Sequence, residues 1–310
     1  YNCYHREHAV AAIQAGKDVF CEKPLATNIE DALAILEAHK QNPRNFVVGF
    51  TLRYTRHYRQ IKELIAGGEI GQVVSMEFNE TLAFNHGAYI HQDWRRHKHL
   101  AGTHMLEKCC HDIDVISWLL DGAKAERVAS FGGLNFFKPE NAYHMDRVGP
   151  NPEDGRVAFR GWQSHLSVPD SPFNDDKDIV DNQVAIIEYD NKVRCTFHTN
   201  CMAAQHERRC YIVGSEGTIR ADFVAGRVEF KKVGWDTPTV VYDTSAIGGH
   251  GGGDMILARE LLDCMNNDRK LPTGVEEGLI SAVTAFGIDE AMETGRVVDM
   301  KPFWAKIDEK

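Results

Sequence analysis

From Arg6 to Ala15 the apolar residues Ala9, Val10 and Ile13 recur at helical spacing, and Gly16 follows where a C-cap belongs. "KDVFCEKP", residues 17–24, then predicts a short strand, apolar enough to be buried on both faces of a parallel sheet. A second helix is expected at "TNIEDALAILEAHK", capped by Thr27 or Asn28 with Glu30 and Asp31 in its first turn, and "NFVVGF" reads as another strand. Helix, strand, helix, strand with short connections is the rhythm of a doubly wound parallel sheet. Two strands are too few to cover such a sheet, so an upstream part of roughly 70 residues is expected, at about 30 per βαβ unit.

After a helix over Arg53 to Ala66, closed by "GGEIG", the period drops to two. "QVVSMEFNET", "NQVAIIEYDNKVRCTFHTN" with its Asp190-Asn191 turn, "RCYIVGSEGTIRADF" around Glu216-Gly217, and "GRVEFKKV" predict antiparallel strands. The change divides the chain into residues 1–52, the end of a parallel α/β domain, and residues 53–310, a second domain with a largely antiparallel sheet. Residues 134–181, rich in Pro, Asp, Asn and aromatic residues without a period, read as a long loop insertion. "GTHMLEKCCHDIDVISWLL" reads as one helix through Ile113, Ile116, Leu119 and Leu120, and "MILARELLDCMNN" and "EEGLISAVTAFGIDEAMETG" predict two more near the end.

Charge narrows the partners. Against 45 acidic residues stand 35 Lys and Arg, a net −10 that leaves no basic surplus for a nucleic-acid backbone. No apolar run is long enough for a membrane helix. Eight cysteines without framework spacing point to a reducing compartment, the cytoplasm. Exposed strands of a sheet this size favour a homo-oligomer through the outer face of the antiparallel sheet.

Two groups carry candidate chemistry. Glu22 and Lys23 sit at the carboxyl end of a parallel strand, where open sheets bind ligands, and Pro24 biases Lys23 away from helix; a solvated surface lysine is the alternative. Glu107 and His111 stand four apart, on one face if the segment is helical, with Asp112 and Asp114 on other sides. Such a pair can be a base held by its partner, a pair of metal ligands, or a plain ion pair.

"HREHAVAAIQAGKDVFCEKPLA" (5–26), "GFTLRY", "GEIGQVVSMEF" and "GTHMLEKCCHDIDVISWLL", in that order, resemble the Gfo/Idh/MocA family of NAD(P)-dependent sugar and polyol dehydrogenases. The resemblance implies the C-terminal part of a Rossmann domain followed by an α/β domain with an open, mainly antiparallel sheet. The family's glycine fingerprint has no counterpart within these residues. NAD or NADP is the implied cofactor, and a sugar, inositol or related polyol the implied substrate. The family's Glu-Lys-Pro falls on Glu22, Lys23 and Pro24, and its Asn and His after the fourth strand on Asn2 and His5. Its Asp-x-x-x-His falls on Glu107 and His111, the acid here one methylene longer.

On that reading His111 takes the hydroxyl proton, Glu107 orients the imidazole, and Lys23 donates to the substrate oxygen with its pKa lowered by a nearby nicotinamide cation. Trp94 and Arg95, in "HQDWRRHKH", offer an aromatic face and a fork of donors to the cofactor or to sugar hydroxyls, a basic, partly exposed loop being the alternative; Arg53 and Tyr54 either line the same crevice or form the first turn of a linking helix. "IGGHGGGDM" brings His250 toward substrate, with Asp254 at a helix start. NAD-dependent glycoside cleavage and non-catalytic dinucleotide sensing are the alternatives within the resemblance. A metal site at Glu107, Cys110 and His111 lacks a second ligand cluster.

Overall fold

The computed structural model describes residues 1–161, 171–267, 269 and 272–309. The first unit runs α1 (His5–Gln14), β1 (Val19–Cys21), α2 (Ile29–Gln41) and β2 (Phe46–Val48), with β1 and β2 paired in parallel. Gly16 ends α1 at φ 71°, and the Asn28 side chain caps α2 by accepting from the Asp31 amide. Ile13, Leu25, Ala32, Ile35, Phe46 and Val48 pack as its core. β1 is not buried on both faces as expected: Phe20 is 45 % exposed, because no described element covers its side of the two-stranded sheet.

A 3₁₀ turn, Thr51–Tyr54, leads into α3, which begins at Arg56 rather than Arg53 and ends at Ala66; Thr55 caps it by accepting from the Tyr58 amide. There follow β3 (Val73–Ala83), α4 (Phe84–Gln92), α5 (Lys98–Ala101), α6 (His104–Glu107), α7 (Cys110–Leu119), β4 (Ala125–Gly133), α8 (His144–Val148), β5 (Asn182–Tyr189) and β6 (Arg194–Ala203). The chain continues through β7 (Arg209–Gly214), β8 (Gly217–Asp222), β9 (Arg227–Lys232), β10 (Thr239–Asp243), α9 (Gly253–Asn267), α10 (Val275–Thr294), β11 (Val298–Asp299) and α11 (Lys301–Asp308). Among the described residues one nine-stranded sheet forms, in the order β10-β9-β8-β7-β3-β6-β5-β4-β11. It is antiparallel except where β3 runs parallel to β6.

One face of this sheet is dry. Ile61 and Leu64 of α3, Ile113 and Ile116 of α7, and Val283 and Ile288 of α10 pack with Phe78, Ile187, Phe197 and Ile212 of the strands. The other face stays open, with Phe131, Val184, Ile186 and Tyr211 exposed, the alternation a one-sided sheet requires. Residues 134–181 lie partly outside the described residues; the described part is mostly turn and loop, with a short 3₁₀ turn (Pro139–Asn141) and α8, and it is anchored by a few buried side chains. Phe137, Phe159 and Phe173 form a buried aromatic cluster with Leu82 and Ile90. Gly87 lets α4 lie directly on β6, since a Cβ there would meet the Cys201 carbonyl oxygen at 1.7 Å.

Candidate active site

The site lies where the two units meet, and its pieces are positioned by local chemistry. β1 delivers Glu22 and Lys23 past its carboxyl end, and the Lys23–Pro24 peptide is cis. His5 Nδ1 contacts the Pro24 carbonyl at 2.7 Å, and Asn2 Nδ2 donates to the Ala101 carbonyl at 2.8 Å, tying the N-terminal turn to α5. His5 therefore braces the turn that carries Lys23 and Asn2 the N-terminal turn against α5, with those ring and amide nitrogens already engaged.

The segment from His104 to Leu119 is two helices, not the single one expected. Thr103 caps α6 by accepting from the Leu106 amide, while its own hydroxyl donates to Asp289 Oδ2 at 2.5 Å. The ladder breaks at Lys108–Cys109, and at the break Lys23 Nζ donates to the Glu107 carbonyl (2.6 Å) and approaches its carboxylate (3.4 Å). Glu107 Oε1 also accepts from Arg95 Nε at 3.0 Å. Glu107 thus holds Lys23 and Arg95. It makes no hydrogen bond to His111, whose Nδ1 is buried without a partner.

The charges follow. Burial pushes the Glu107 carboxyl up, but Lys23 and Arg95 outweigh it and keep the group at about 2. Burial lowers Lys23, yet Glu107 more than compensates and the ammonium's pKa lies above its ordinary value. Burial holds His111 well below 6.5, with Lys23, Arg208 and His250 adding to the effect, so the imidazole is neutral near pH 7. That Lys23 and His250 act on His111 places the three in one electrostatic neighbourhood. His111 meets Phe50 edge-on at 6.2 Å and His250 at 5.5 Å between ring centroids. His250 is held at φ 46° and bonds Asp254 through Nδ1 at 2.8 Å.

Two candidates leave the crevice. Arg53 forks onto Asp114 (2.8 and 2.6 Å) and reaches the Pro272 carbonyl, a buried structural pair. Tyr54 is fully buried, its hydroxyl 3.0 Å from Thr273 Oγ1, and packs with Val47 and Leu257. Each follows from the 3₁₀ turn, which points residues 53 and 54 inward. Arg95 is sandwiched between Trp94 (4.3 Å) and Tyr89 (4.8 Å), and Trp94 meets Tyr1 at 4.9 Å. Sequence reasoning missed Glu80, Lys108, Asp112 and Arg208. Arg208 forks onto Asp112 (2.8 and 2.7 Å), and both it and Lys108 contact Glu80. These partners are 28 to 128 positions apart in sequence, and no local pattern marks them.

The residues present fit the nicotinamide end of a dinucleotide. Glu22 and Lys23 project at the carboxyl edge of a parallel pair, an orphaned imidazole nitrogen lies close by, and Gly49 at the end of β2 leaves a cradle where a Cβ would sit 3.0 Å from the Glu22 carboxylate. Among the described residues no group of three His, Cys, Asp or Glu side chains could hold a metal ion, and no helix is long and apolar enough to cross a membrane.

Two family models match the chain: "Oxidoreductase family, NAD-binding Rossmann fold" over residues 1–50 and "Oxidoreductase family, C-terminal alpha/beta domain" over residues 62–300. The chain is 26% identical to the putative oxidoreductase YteT of Bacillus subtilis (strain 168), over 96% of this chain and 79% of that protein. It is 42% identical to inositol 2-dehydrogenase 3 of Saccharopolyspora erythraea, over 38% of this chain and only 32% of that protein's length. A levoglucosan dehydrogenase solved with NADH and levoglucosan superposes with a TM-score of 0.76 at 20% identity, covering 97% of this chain and 78% of the other. An oxidoreductase domain protein from Kribbella flavida gives 0.77 at 19%, covering 96% and 78%.

Proposed function

Because the chain belongs to the Gfo/Idh/MocA oxidoreductase family, we propose that it moves a hydride between NAD or NADP and the hydroxyl-bearing carbon of a sugar, inositol or related polyol. The observation that supports this reading is an ammonium, Lys23, fixed by Glu107, whose charge acts on a buried neutral imidazole, His111. Glu22, Lys23, Pro24, Trp94 and Arg95 are the residues of this chain that would border the cofactor. When bound, the nicotinamide ring accepts or returns the hydride.

The chain's own residues handle the proton and the oxygen. Lys23 donates a hydrogen bond to the substrate hydroxyl oxygen, which steadies the negative charge that gathers there as the hydroxyl proton leaves. The neutral His111 ring takes the hydroxyl proton, and returns it in the reverse direction. Glu107 acts through Lys23, keeping it charged and aimed, with Arg95 stacked between aromatic rings as the second support of the carboxylate. His250, beside His111, contributes a polar wall for a neighbouring substrate hydroxyl.

Seven of the eight cysteines are buried thiols, which supports a reducing cytoplasm as the setting. The test is a panel of sugars and inositols with the full-length protein, followed by nicotinamide absorbance with each cofactor. Reduction of NAD or NADP with at least one polyol is expected. No absorbance change with any of them contradicts the reading.

A further inference from the structure

His250 stands at a second boundary: beyond it the site opens into a cleft of about 1240 Å³, counted out to open solvent, lined by Glu80, Lys108, Arg156, Arg160, Glu207 and Arg208. Charge in this cleft can be followed pair by pair. Lys108 and Arg208 share Glu80 at 3.3 and 3.1 Å, and Arg208 also forks onto Asp112, so two cations and two carboxylates cancel. Arg156 is met by Asp154 at 2.6 Å and Glu207 by Arg209 at 2.7 Å. Arg160 is exposed and makes no ion pair among the described residues. Among the described residues one guanidinium is left uncompensated, on the wall of a cleft that His250 joins to the candidate proton acceptor, in a chain whose net charge is −10.

We infer that the substrate is an acidic sugar or polyol carrying a single carboxylate, a uronic or aldonic acid, with the carboxylate on Arg160 and the ring hydroxyls toward Lys108 and His250. This rests on the polyol reading of the site. A guanidinium presents two parallel N–H donors that match a carboxylate, whereas a phosphomonoester brings about −1.5 to −2 charges and would leave one unanswered. The local positive potential also steers an anion toward a protein that otherwise repels it.

The test is isothermal titration of the full-length protein with glucuronate and galacturonate, each against its neutral aldose, with glucose 6-phosphate as a third arm. At least one uronate is expected to bind about tenfold or more tightly than its aldose, with a gap that narrows as salt rises. Arg160→Met should erase the preference and Arg160→Lys restore part of it; because the side chain is exposed, neither change threatens the fold. Equal or absent uronate binding, tighter binding of the phosphate, or a preference that survives Arg160→Met would overturn the inference. Nicotinamide absorbance separates this from the hydride reading. An Arg160-dependent uronate preference without reduction upholds the carboxylate site and sinks hydride transfer, while reduction by neutral polyols without that preference does the reverse.

Discussion

Glu107 is the residue whose part the structure changes most. The family resemblance implied that its carboxylate orients His111, and the fold gives it to Lys23 and Arg95. The sign of its effect on titration follows. Its pKa is depressed to about 2, so the stability it contributes is present above the ordinary carboxylate value of about 4.3 and is lost as pH falls through about 2. Lys23 is raised by that same carboxylate, so Glu107→Gln should lower the Lys23 pKa and move the alkaline limb of kcat/KM to lower pH. It should also cost about 3 kcal/mol of stability, because two cations lose their anion. The acid limb in the unmodified enzyme should lie below pH 6.5, since burial keeps His111 neutral there. A pH–rate profile of both proteins checks this, and an alkaline limb that does not move would show that Glu107 does not act through Lys23. Lys23 was legible because the strand and proline around it are local signals. The pairs Arg53–Asp114 and Arg208–Asp112 were not, because they close over 61 and 96 positions.

At the level of elements, strong periodicity was readable and contact-driven structure was not. α2, with its Asn28 cap, and the β5–β6 hairpin carry their own signals. The break between α6 and α7 is hidden because Met105, Leu106, Cys109 and Cys110 continue an apolar pattern across it, while the interruption answers to Lys23 and to the Thr103–Asp289 bond. β4, β10, β11 and α4 were also missed; α4 is made possible by a contact rather than by periodicity. Its seat on β6 depends on Gly87, so Gly87→Ala, with its Cβ 1.7 Å from a backbone oxygen, should lift the helix. The expected loss is about 1–3 kcal/mol, the range for overpacking, measured as a lowered denaturant midpoint. An unchanged midpoint would mean that α4 does not pack as described.

For the whole molecule, the open sheet face is the unfinished surface. Phe131, Val184 and Ile186 are 71 %, 46 % and 59 % exposed on adjacent strands β4 and β5, an apolar patch that a soluble monomer seldom carries. We propose that a second copy covers it. Sedimentation should show a dimer or larger assembly, and Ile186→Glu should shift it toward monomer with secondary structure intact. A monomeric unmodified protein would refute this.

The claim on which the account turns is that Lys23 and His111 act on the same hydroxyl. Single-turnover hydride transfer in Lys23→Ala, His111→Ala and the double variant, with cofactor affinity measured alongside, tests it most directly. Each single change should slow transfer by about 10²-fold or more while cofactor affinity stays nearly constant, and the double variant should be little worse than the poorer single one. Near-normal transfer in either single variant, or losses that multiply in full, would contradict a shared site.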